Sequence, residues 1–203
     1  MDIDPLESAT NAGDDVDVSR DRERSRLNSR VAITVALLAT FLGVCKVKDD
    51  NIVQAMQQAQ ADKLDHWNFY QARNIRQEVA TAAATQLKLA AAAAPPAQQE
   101  GYRVAIASYE GLAVDQAKKK EELRLQAEQD QKTYDALNYR DDQFDLSDAL
   151  IALAISLLAL TALTHKRWLY WLALLATAGG VVMGLAGLLG WHLHPDAVSR
   201  LLS

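Results

Sequence analysis

The chain has 203 residues, a formal net charge of -5, one Cys, nine Gly and four Pro. So modest an acidic balance leaves no electrostatic footprint for nucleic acid, and the single Cys45 excludes an intrachain disulfide. Half of the residues are hydrophobic, but they fall into very apolar and very polar blocks with almost no alternating runs, so strand signals are nearly absent.

Residues 1–19 are acidic, poor in large apolar side chains and interrupted by Pro5 and Gly13, which reads as a disordered segment. Residues 20–46 join a basic flank (Arg20, Arg22, Arg24, Arg26 and Arg30) to an uncharged run over 31–45. That run is short of the roughly 20 residues a membrane helix usually needs. Arg30, Lys46 and Lys48 extend it by laying their stems along the interface. Its end, LGVC, has the outline of a lipoprotein processing box, but Val44 stands where a small residue is expected. A plain membrane anchor is the better reading.

Residues 47–145 are polar, Gln-rich and free of strong helix breakers except around Pro95, Pro96 and Gly101. Before the prolines, Ile52, Met56, Ala59, Leu64, Trp67, Tyr70, Ile75, Val79, Ala82 and Leu87 recur at spacings of mostly three to five. After them, Tyr102, Ile106, Tyr109, Ala113, Leu123, Ala127, Tyr134 and Leu137 fit a heptad template interrupted at Gln116, Lys120 and Asp130. The economical reading is a helical hairpin with its tip at 95–101, each arm roughly 40 residues or about 60 Å long. Its arms pair residues equidistant from the tip.

Residues 146–164 and 168–191 are long enough to cross a bilayer, and His165, Lys166 and Arg167 join them too tightly for anything but an antiparallel pair. Trp168, Tyr170 and Trp171 at one end and Trp191 at the other suit interfacial positions. Residues 192–203 form a short tail, in which His192 and His194 are two apart, a poor helical spacing for one metal. The Arg cluster before the first span and Lys166 with Arg167 fall on one side, which predicts a cytoplasmic N-terminus and a hairpin on the opposite face.

Chemistry-bearing patterns are scarce. There is no Gly-rich phosphate loop, zinc-type Cys/His set, HExxH or nucleophile elbow, so no catalytic residue, cofactor or metal ligand is expected. His66 and Asp65 are sequence neighbours, which point about 100° apart on a helix, so His66 reads as a solvated or packing residue. Asp49, Asp50, Asp141 and Asp142 read as solvated collars where the hairpin meets the apolar segments. Lys118 with Glu122, Glu121 with Arg124, and Glu128 with Lys132 are spaced to pair along one helix face. The apolar runs contain no central ionisable group, which argues against a transporter but leaves a passive pore open.

Each apolar run does carry a stripe of small residues: Ala32, Ala36, Ala39 and Gly43; Ala149, Ala152, Ser156 and Ala159; Ala176, Gly180, Gly184 and Gly187. Small stripes let helix backbones come close in lipid. Gly180, Gly184, Gly187, Ala152 and Ser156 are therefore candidate helix-packing residues, within the chain or between copies. Trp67, Phe69 and Tyr70 form a candidate interaction patch on the hairpin.

The stretch RSRLNSRVAITVALLATFLGVCKVKDDNIVQAMQQAQADKLDHWNFYQAR resembles the start of an uncharacterised membrane family, domain of unknown function 4337. KVKDDNIVQAMQQAQ and the following WNFYQA carry the likeness most specifically, and it extends over residues 22–192. The resemblance implies a bacterial inner-membrane location and the same helical layout, and no activity. The expected protein is all-α, with three transmembrane helices and a coiled-coil-like hairpin stalk between the first and second. Its expected role is a structural or interaction module rather than an enzyme, with a homo-oligomeric channel or transport accessory as the alternative. The lipid bilayer, a second copy and an unidentified protein are its expected partners.

Overall fold

The computed structural model describes the backbone of residues 5–191 and 193, and the side chains of residues 20–191 and 193. Helix α1 (Pro5–Ala93) is followed by a 3-10 turn (Pro96–Gln98), α2 (Gln99–Thr164) and α3 (Arg167–Leu189). No strand occurs among the described residues. Three helices are long and apolar enough to cross a membrane, judged by length and composition. His192, His194 and the rest of the expected tail lie outside the described residues, Leu193 excepted.

The backbone of residues 5–19 is helical, where disorder is expected from composition. Pro at the first helical position has no N–H to lose and a φ already suited to the helix. Extending an existing helix also avoids the cost of nucleating a new one.

The chain divides into two compact units, Met1–Ile52 with Tyr139–Ser203, and Val53–Asn138. The first takes several residues from each expected hairpin arm. On α2, Arg140 Nη2 donates to the Gly187 carbonyl at 2.8 Å, and Gln143 Nε2 donates to the Trp191 and Leu193 carbonyls, both at 2.8 Å. These side chains bind the carbonyl end of α3, which Gly190 terminates in a left-handed conformation (φ 71°). The helix thus stops two residues before the expected boundary at Trp191.

In this unit the core is built from all three helices: Val31 and Leu38, Ile151, Ala154 and Leu158, and Ala173. The inward face of α1 reads Val31, Val35, Leu38, Leu42, Cys45, Asp49 and Ile52, alternating by four and three. Such a 3.5-residue repeat is the seam of a left-handed helix pair. The α2–α3 connection is tight because His165 takes a left-handed conformation (φ 52°), its N–H bonding the Thr161 carbonyl at 2.8 Å.

The second unit is an antiparallel pair of arms. Lys63 with Gln131, His66 with Asp130, Asn74 with Lys120, and Lys88 with Glu110 are each centred between positions 97 and 99. The fold-back is therefore centred just past Pro96, toward the end of the 3-10 turn. Gln99 Nε2 donates to the carbonyls of Ala91 and Ala94, at 2.8 and 2.9 Å, and so ties the start of α2 to the end of α1, where the Ala91 carbonyl also accepts from the Ala94 N–H at 3.1 Å.

Candidate interaction surfaces

The inward face of the first arm is Met56, Ala59, Lys63, His66, Tyr70, Arg73, Gln77, Ala80, Ala84 and Leu87, all buried or half-buried. It continues the four-three alternation without a skip, yet half of it is polar. Leu64, Ile75, Val79 and Ala82, expected on this face from their apolarity, are exposed instead. On the second arm the expected heptad positions are buried or half-buried except Tyr109, which is exposed, and the polar interruptions are the partners of the first arm's polar residues. Asp130 Oδ2 accepts from His66 Nδ1 at 2.7 Å, Lys120 Nζ donates to Asn74 Oδ1 at 3.0 Å, and Arg73 Nη1 donates to Gln116 Oε1 at 3.1 Å. Lys63 Nζ reaches Gln131 Oε1 at 2.5 Å. His66 is thus a seam residue rather than a solvated one. Matched polar pairs of this kind set register, because a shift of one turn would leave buried donors and acceptors unpaired.

The Trp67, Phe69 and Tyr70 trio is divided by helix geometry. Trp67 and Tyr70, three apart, stack edge to face at 5.2 Å, with Lys120 Nζ 5.7 Å from the Tyr70 ring. Phe69 lies off that face and is 60% exposed. Along the second arm, Arg124 pairs with Glu121 at 2.6 Å and also with Glu128, and Lys119 pairs with Asp115 at 2.7 Å.

A second repeat lies on the outer side of the first arm. Ala72, Ile75, Val79, Ala82, Gln86 and Leu89 also alternate by three and four, and every one is exposed. Ile75 and Val79 are 63% and 62% exposed, and Leu89 71%. A composition-led reading merges this face with the inner one; the two separate only when a strict period is imposed.

In the three-helix unit, the α3 glycines sit at close approaches. A Cβ at Gly180 would lie 2.7 Å from Ile151 Cγ1, one at Gly184 would lie 2.8 Å from the Phe41 ring and from Ser147 Oγ, and one at Gly187 would lie 2.8 Å from the Phe144 ring. Ser147 Oγ donates to the Gly180 carbonyl at 2.8 Å, so the contact has a polar clasp. Ala152 and Ser156 are not brought into this packing: both are exposed, together with Ala149 and Ala159. The inward face of α2 is instead Ser147, Ile151, Ala154, Leu158 and Thr161, on nearly the opposite side of the helix from the stripe, about 160° around. Ala32, Ala36, Ala39 and Gly43 of α1 are exposed as well, with nothing within 4 Å of a Cβ built on Gly43.

The expected solvated collar is partly a buried acid cluster. Asp49 is only 5% exposed and accepts from Lys46 Nζ at 2.8 Å. Burial first, then a hydrogen bond with Asp49 and the charges of Asp145, Asp49 and Asp142, push the Asp141 carboxyl up from 3.8 to about 6. Asp145 is raised too, by burial and then by the Asp49 charge. Among the described residues no group of three or more His, Cys, Asp or Glu is placed to hold a metal ion.

The cluster makes stability pH-dependent with a definite sign. Between about pH 4 and 6 the folded state holds the Asp141 proton that the unfolded state has released, so the unit loses stability as pH rises through that window. The detergent-solubilised chain should melt at higher temperature at pH 5 than at pH 7.5. Asp141→Asn should reduce that difference, leaving the part due to Asp145, and stabilise the protein at pH 7.5 by about 1 kcal/mol, allowing for screening by solvent. An unchanged pH profile in the variant would count against the coupling.

The chain belongs to the family described as Domain of unknown function (DUF4337), whose model matches residues 27–190. No curated protein and no solved structure matches the chain. Family membership brings no activity with it.

Proposed function

We propose that this DUF4337 protein is a membrane-anchored interaction module without enzymatic activity, whose hairpin docks, through its outer face, on a second copy of the same chain. The three apolar helices form the anchor, in a bacterial inner membrane. The observation that carries the reading is the outer repeat from Ala72 to Leu89. It has the period of the inner seam and, Gln86 apart, is apolar, yet no other part of the described chain covers it. An exposed row of Ile75, Val79 and Leu89 on a helix in water favours association. Its three-four alternation fits another helix rather than a flat surface. The second copy is the favoured occupant because α1 also carries the uncovered Ala32, Ala36, Ala39 and Gly43 stripe, which in lipid fits only another helix. One helix therefore offers a contact face in both media.

The test is the mass of the full chain in detergent and in nanodiscs. The wild type should run as a dimer or larger, and Ile75→Asp with Val79→Asp should reduce the assembly to a smaller species while preserving helicity. A wild type that stays monomeric at every concentration would sink the reading. Orientation has its own check: a reporter fused at Gln98 should be active only in an exported form, with Arg20 to Arg30 and Lys166-Arg167 retained inside.

A further inference from the structure

At the basic end of the three-helix unit, α1 and α3 enclose a groove of about 640 Å³. Arg26 and Arg30 line it from α1, Arg167 and Trp171 from α3, and Leu27 and Leu174 supply apolar walls. Arg26 and Arg30 are four residues apart and so share one helix face. Neither has an ion pair among the described residues, whereas Arg167 Nη2 is held by Glu23 Oε2 at 2.7 Å. Three guanidiniums against one carboxylate leave the groove with two positive charges in excess. A smaller groove continues from it past Glu23, Leu27 and Arg167 to His165, whose Nδ1 is buried without a hydrogen-bond partner. The first turn of α3 opens nearby without a side-chain cap.

We infer that this groove binds the phosphodiester headgroup of an anionic phospholipid. Guanidiniums match the phosphodiester in geometry as well as in charge, offering paired N–H donors to its two free oxygens. Apolar walls and the Trp171 ring, 70% exposed beside the groove, suit the start of an acyl chain and the bilayer interface. A free phosphate would use the arginines and leave those walls unoccupied. Basic pockets between membrane helices are known to take such headgroups. The site goes beyond the docking role proposed above and rests on that reading only for the presence of a membrane.

The experiment is native mass spectrometry of the full chain released from nanodiscs of defined composition. Phosphatidylglycerol or cardiolipin should be retained at least ten-fold more than zwitterionic phosphatidylethanolamine. Arg26→Gln with Arg30→Gln should abolish that preference, and Arg26→Lys with Arg30→Lys, which keeps the charge, should retain part of it. Arg22→Gln with Arg76→Gln removes equal charge outside the groove and should leave retention unchanged; an equal loss there would reduce the effect to net charge and overturn the site. Displacement of the lipid by millimolar inorganic phosphate would overturn it as well, by making the occupant a free anion. If the chain is stripped from membranes by alkaline carbonate, the membrane reading fails. If it resists stripping and retains all lipids alike, only this inference fails.

Discussion

Gly184→Leu should destabilise the three-helix unit by about 3 kcal/mol or more, the upper range for overpacking a close contact. A Cβ there already meets the Phe41 ring and Ser147 Oγ, each at 2.8 Å, and a leucine adds three further carbons. Ser147 resists moving because its hydroxyl holds the Gly180 carbonyl. Phe41 is half-buried and has more freedom, so Phe41→Ala should rescue part of the loss, with a coupling of about 1 kcal/mol or more. Gly180→Leu, which meets Ile151 and the Ser147 backbone, should be as severe and should not be rescued by Phe41→Ala. Leu185→Ala and Leu189→Ala alter exposed positions and should stay within about 0.5 kcal/mol. The measurements are abundance in the membrane fraction and thermal melting in detergent. A Gly184→Leu protein that melts normally but runs at lower mass would move this face from inside one chain to between chains.

The glycine face illustrates what the sequence makes legible. Small residues at helical spacing identify faces where backbones can approach, but the three such stripes look alike on paper. Only the α3 stripe is covered within the chain; those on α1 and α2 face outward. What decides is the rotation of each helix, set by larger residues such as Leu38, Ile151 and Leu158 that composition alone does not rank. The all-α character and the fold-back near the prolines are readable because breakers are so few that their positions speak clearly.

The hairpin seam is less legible for a different reason. Following apolar residues along the first arm leads from Ala59 to Leu64 and onto the outer face. The true inner face goes to Lys63, His66 and Arg73, which look solvated until the second arm is laid beside them. Gln116, Lys120 and Asp130 supply the missing signal: polar residues at strict heptad positions on one arm require partners on the other. Asp49 reads as solvated for the same reason, although it sits at an inward position of the repeat on α1 while its neighbour Asp50 is exposed. In a polar coiled pair, period carries more information than hydrophobicity.

That register is open to a direct test with an all-or-none outcome. His66→Cys with Asp130→Cys places two thiols at facing seam positions, where the native side chains meet at 2.7 Å, so mild oxidation should join them. A disulfide needs Cα atoms within about 7 Å, which makes the reaction a strict ruler. His66→Cys with Lys120→Cys displaces one partner by ten residues, about 15 Å along a helix, and should give no intramolecular bridge. The experiment is best done at low protein concentration, with bridging scored by mobility after proteolysis between the arms, so that crosslinks between copies are not mistaken for it. In the bridged protein, Ala127→Glu should be tolerated far better than in the unbridged one. Ala127 is buried in the seam, and a glutamate there should otherwise part the arms, at a cost of about 3 kcal/mol. Efficient bridging of His66→Cys to Lys120→Cys instead would mean that the arms pair in another register. The polar contacts between His66, Asp130, Asn74 and Lys120 could not then coexist, and the outer face from Ala72 to Leu89 would have to be assigned afresh.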